Sequence, residues 1–94
     1  MNKLEKTRQT INNCDENIAK YFEARMHAVE DVIAYKIENA LPILDAGREK
    51  EVIERNLANI TDEKLKPYFA EMLVQMMRIS REYQNDILKN NQKR

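Results

Sequence analysis

Arg25, Val29, Val32 and Lys36 fall at i, i+4, i+7 and i+11, and in a helix they share one face. Eleven residues at 100° each bring Lys36 to within about 20° of Arg25, about 16 Å further along the axis. Two long cationic side chains so placed could bend toward one small anion between them. A second segment carries a matching anomaly. Leu73, Met77, Ser80 and Gln84 share a helical face, and two of these four are polar but uncharged. Such groups beside an apolar stripe suit a site that fixes the orientation of a ligand. A third cluster, Asp45, Arg48 and Glu49, lies in LPILDAGREKEVIE (Leu41 to Glu54), which holds the chain's only glycine and one of its two prolines. There is no Ser-His-Asp set, no H-E-x-x-H, no C-x-x-C and no phosphate-cradling glycine loop. The chemistry on offer is therefore positioning and fixed charge, without a nucleophile.

Taken singly, each residue also has a plainer reading. Arg25 or Lys36 could be a snorkelling side chain or a partner in an intersubunit ion pair with Asp15 or Glu49. Asp45 reads as a helix cap, Arg48 and Glu49 as first-turn charges, Ser80 and Gln84 as stripe-edge residues. His27 has no second His or Cys at ligand spacing, so no metal site is expected. The reading also calls for no cofactor.

The elements that would position these residues are all helical. From Asn2 to Ala40 there is neither Gly nor Pro, and Leu4, Ile11 and Ile18 recur every seven residues with Cys14, Phe22, Val29, Val32 and Ile33 on the same broad face. Helix 1 is expected over about 3–39, ending because Leu41 precedes Pro42. Such a helix is roughly 55 Å long, whereas a compact domain of this size is about 30 Å across. Its apolar stripe therefore needs a partner. Helix 2 is expected over about 45–60, capped by Asp45, and helix 3 over about 66–89, with Pro67 in its first turn. The tail KNNQKR is expected to fray. The fold class is all-α, with three helices per chain, a very long first helix and an intertwined homodimer, in one domain spanning 1–94.

Composition bounds the rest. Lys plus Arg and Asp plus Glu are 16 each, a zero balance that argues against nucleic-acid binding. No apolar run is long enough to span a membrane, and MNKLEKTRQT lacks the apolar core of a signal peptide. The lone Cys14 cannot form an internal disulfide, which favours the cytoplasm, and its place on the stripe favours a packed, inert thiol.

With these residues in view, the chain resembles the all-α chorismate mutase family from Leu4 to about Leu88. TRQTINNCDENIAKYFEARMHAVEDVIAYK is similar to the family's R-x6-D-x9-R-x10-K pattern, with Arg8, Asp15, Arg25 and Lys36 on its marked positions. LPILDAGREKEVIERN resembles P-x-x-D-x-x-R-E, with Pro42, Asp45, Arg48 and Glu49. SREYQ places Ser80 and Gln84 four apart, as the family does. Leu44 stands where some members carry a basic residue, and the connection from Thr61 to Lys66 is short.

The resemblance implies conversion of chorismate to prephenate, at the branch leading to phenylalanine and tyrosine. It implies catalytic roles for Lys36, Gln84 and Glu49, and substrate binding by Arg8, Arg25, Arg48, Asp45 and Ser80. Arg8 lies about 25 Å back from Arg25 along the helix and would come from the partner subunit of an antiparallel dimer. A chain of this length is expected to stand alone or to be excised from a longer enzyme, without a regulatory domain. Two rivals remain: an isochorismate pyruvate lyase of the same fold, and a non-catalytic helical dimerisation module.

Overall fold

The computed structural model describes residues 1–92; Lys93 and Arg94, part of the tail expected to fray, lie outside the described residues. Three α-helices account for most of the chain: α1 (Lys3–Glu38), α2 (Ala46–Leu57) and α3 (Lys66–Gln92), with a 3-10 turn at Glu63–Leu65 leading into α3.

Helix α1 forms because 36 residues pass without a breaker between good helix formers. Asn2 caps its start, accepting a 2.8 Å hydrogen bond from the Glu5 amide. Its end is a Schellman-type turn. The Leu41 amide donates to the Lys36 carbonyl at 2.8 Å and the Ala40 amide to the Ile37 carbonyl at 3.3 Å. That geometry requires a left-handed residue, and Ala40 supplies it with φ 53°. The only glycine, which the sequence places beside the same break, serves elsewhere. Gly47 sits in the first turn of α2, and Ala40 carries the backbone cost that glycine would have spared.

Asp45 caps α2, its Oδ1 accepting from the Arg48 amide at 3.0 Å. Helix α2 stops at Leu57, short of Ile60. The Asn59 and Ile60 amides instead turn back to the carbonyls of Asn56 and Leu57. In the next connection, Asp62 caps the 3-10 turn through the Lys64 amide at 3.2 Å. Helix α3 runs three residues past the expected end near 89, carrying the helix into the tail as far as Gln92. Ile87 and Leu88 are half-buried just before that stretch.

Helix α3 packs against both α1 and α2, which do not pack against each other. The result is a trough with α3 as floor and the other two helices as walls. Little is buried. The core consists of Val29 and Ile33 from α1, Val52 from α2 and Leu73 and Met77 from α3. The only other buried residues among those described are Ser80 and Gln84, both polar.

The chain extends 56 × 28 × 15 Å with a radius of gyration of 16.9 Å, against about 12 Å for a compact domain of this length. Every residue from Met1 to Ala24 is exposed. Leu4, Ile11 and Ile18 are each more than half exposed. Cys14, expected to be packed, is exposed as well, because nothing in its own chain reaches that half of α1. Among the described residues no helix is long and apolar enough to cross a membrane.

Candidate active site

The trough holds a cavity of about 160 Å³, and its polar lining comes from all three helices and the turn between the first two. Helix α1 contributes Arg25 and Lys36, with Val29 and Val32 between them; the turn and α2 contribute Asp45, Arg48 and Glu49; α3 contributes Ser80, Arg81 and Gln84. The helical face of Leu73, Met77, Ser80 and Gln84 is the buried face of α3. Two polar residues lie on that face because it turns from apolar core to pocket floor partway along its length.

At one end, Arg25 Nη1 donates to Ser80 Oγ at 2.7 Å. Burial and then the neighbouring Arg48 hold the Arg25 guanidinium below its usual basicity. An arginine in a protein stays protonated regardless, so the depression measures a cost of keeping that charge without a counter-ion. An anion lying between the two guanidiniums would remove the cost. Ser80, with its oxygen accepting from Arg25, keeps its own O–H free to donate to such an anion.

At the other end, Lys36 Nζ donates to the Ile43 carbonyl at 2.6 Å and to Gln84 Oε1 at 3.3 Å. Gln84 Nε2 donates to the Ser80 carbonyl at 3.2 Å. An ammonium has three donors and an amide nitrogen two, so Lys36 and Gln84 each retain one N–H beyond these bonds. The Lys36–Ile43 bond also ties the end of α1 to the turn that begins α2, fixing the spacing of the two walls.

The acidic wall is less uniform. Asp45 spends one oxygen on its helix cap. Arg48 is exposed and paired with Glu51 at 3.0 Å in an i,i+3 ion pair. Such a pair contributes about 0–1 kcal/mol and releases easily. Glu49 points into the trough and accepts from Arg81 Nη1 at 2.5 Å. Arg81 was not singled out from sequence. It sits one residue after Ser80, off the apolar stripe, and its position there looks like an ordinary surface arginine; only its approach to Glu49 across 32 residues of sequence marks it.

Seven of the eight residues singled out from sequence therefore line one cavity. The eighth, Arg8, is exposed near the start of α1 and is not among the residues that line it. Among the described residues no three His, Cys, Asp or Glu side chains are grouped to hold a metal ion.

A trough on a helical floor, lined by cations, two carboxylates and uncharged hydrogen-bonding groups, places this chain among all-α proteins with a charged cavity between their helices. The chorismate mutase type II family model matches residues 7–85, and the chain belongs to that family. No curated protein and no solved structure matches it.

Proposed function

We propose that this protein is a chorismate mutase, converting chorismate to prephenate by a [3,3] sigmatropic rearrangement within a homodimer. The observation that carries the reading is the convergence of Arg25, Lys36, Ser80 and Gln84 from helices α1 and α3 on one cavity. Their spacing there suits an elongated dianion.

In this reading Arg25 and Ser80 hold one carboxylate by charge-assisted hydrogen bonds. Arg8 from the partner subunit closes over the same end. Arg48 leaves Glu51 to take the ring carboxylate. Gripping the substrate at both ends folds its enolpyruvyl side chain over the ring, a near-attack geometry seldom populated in water. As the ether C–O bond breaks, negative charge gathers on its oxygen. The free N–H groups of Lys36 and Gln84 donate to it, and removing one such donor typically costs about 10²–10³ in rate. Glu49, supported by Asp45, accepts the ring hydroxyl. No proton transfer, nucleophile or cofactor takes part.

The dimer is supported by surface area. A compact chain of 11.2 kDa exposes about 5,700 Å², whereas this one exposes 7642 Å². The surplus is of the size that intertwined, obligate dimers bury. It is concentrated on the outer half of α1 and in an apolar groove where Ile18, Tyr21 and Phe22 face Phe69, Met72 and Met76. A second copy's α1, laid antiparallel, would cover that groove and carry Arg8 toward the trough. The cytoplasm, with its phenylalanine and tyrosine biosynthesis, is the compartment this reading assigns.

The test is to incubate purified protein with chorismate and follow the loss of its ultraviolet absorbance, identifying the product by chromatography. Prephenate formed in proportion to enzyme supports the mutase. Pyruvate released from isochorismate, with chorismate untouched, would move the assignment to the lyase branch. Inactivity toward both would leave a helical dimerisation module.

A further inference from the structure

Glu49 and Arg81 form the one ion pair among the described residues that joins two α-helices; the others lie within one α-helix or in the 3-10 turn that leads into α3. Both side chains are largely covered, with exposures of 23% for Glu49 and 34% for Arg81. Arg81 reaches the carboxylate from the rim, since it also lines the shallow hollow beside the trough formed by Ile43, Arg78 and Glu82. It takes Oε1 of Glu49 and leaves Oε2 without a hydrogen-bond partner among the described residues.

A bare carboxylate would be out of place there. The trough is to receive a dianion, and like charges a few ångströms apart in a partly covered site repel strongly. Glu49 can accept a hydroxyl from such a ligand only if its own charge is offset nearby. Arg25, Arg48 and Lys36 cannot provide this offset without being taken from the substrate. Arg81 can, because it sits at the rim of the trough with its Nη1 already committed to Glu49 Oε1.

We propose that Arg81 is a positioning residue that fixes the Glu49 carboxylate in the trough and screens its charge from the dianionic substrate. The inference rests on the mutase reading above. It makes Arg81 act through Glu49 and not on the substrate, and that distinction can be measured.

The experiment is a double-mutant cycle on chorismate turnover, comparing the wild type with Arg81→Leu, Arg81→Lys, Glu49→Gln and the Arg81→Leu/Glu49→Gln double variant. Arg81→Leu should raise KM by about tenfold or more, within the range a misplaced site group can reach, and kcat should fall less. Added salt should recover part of that loss, since it screens the exposed repulsion. Arg81→Lys should keep most of the wild-type KM.

With Glu49→Gln already present, Arg81→Leu should have little further effect, because the charge it screened is gone. Circular dichroism checks the helices, and Arg81→Gln replaces the leucine variant if that one fails to fold. A wild-type KM in Arg81→Leu, or the same rise in KM with and without Glu49→Gln, overturns the proposal. A wild type that does not turn over chorismate overturns the mutase reading and this inference together. An active wild type with additive variants overturns only the role of Arg81.

Discussion

Lys36 is the residue on which the site turns, because its ammonium meets the connecting turn at Ile43 and the floor at Gln84 at once. Those two bonds hold the nitrogen in place before any ligand arrives, and preorganised donors lose little on reaction. Lys36→Ala should therefore lower kcat by at least about 10²-fold while leaving the helical circular dichroism signal intact. Turnover at the wild-type rate would sink the proposed chemistry. Ser80 and Gln84 show how a polar residue tolerates burial. Each has a partner, and no buried side-chain nitrogen or oxygen among the described residues lacks one.

At the scale of elements, the end of α1 is strained and its packing on α3 is latched. Ala40 in the left-handed region should cost about 1–2 kcal/mol relative to glycine. Ala40→Gly should raise stability by that amount, read by denaturant unfolding at fixed protein concentration. No gain would mean that the turn relaxes in solution.

The latch is Tyr83 on α3, whose hydroxyl donates to Glu30 Oε2 on α1 at 2.5 Å. That hydrogen bond, then burial and the charge of Glu30, raise the Tyr83 phenol above its ordinary value. A raised value means the neutral phenol is the form that favours the folded state. The latch is thus fully present below about pH 10, the value of a free phenol, and is lost as pH climbs through the raised value. An ultraviolet titration should show one tyrosine ionising later than the rest, and Tyr83→Phe should remove it. Four tyrosines titrating together would contradict the latch.

At the scale of the molecule, the single chain is extended and thinly cored, and the proposed dimer rests on that. Its outer α1 touches nothing of its own, and a small core stabilises a chain of this size only marginally. The proposed dimer makes each site from Arg25 of one chain and Arg8 of the other. Arg8→Ala and Arg25→Ala proteins should each be inactive alone. Unfolded together and refolded at equal amounts, half the dimers would be mixed, each with one intact site, so about a quarter of wild-type activity should return. A mixture as inactive as its parents would contradict the shared site.

Periodicity and breakers made three helices legible in the sequence, because helix propensity and the 3.6-residue repeat are local properties. The spacing of Arg25 and Lys36 on one face, and of Ser80 and Gln84 on another, was legible for the same reason. What the sequence left open depended on contacts between distant segments. The break beside Pro42 is legible, but not that Ala40 takes the left-handed position, since the helix end is set by which carbonyls the Ala40 and Leu41 amides reach. Cys14 looked packed, because a stripe shows which face is apolar but not what covers it. Arg81 carries no signal in the sequence, because only the packing of α2 on α3 brings Glu49 to its guanidinium. A helix's own faces follow from its residue order, whereas which faces meet follows from turn geometry and packing, and that only the tertiary structure decided.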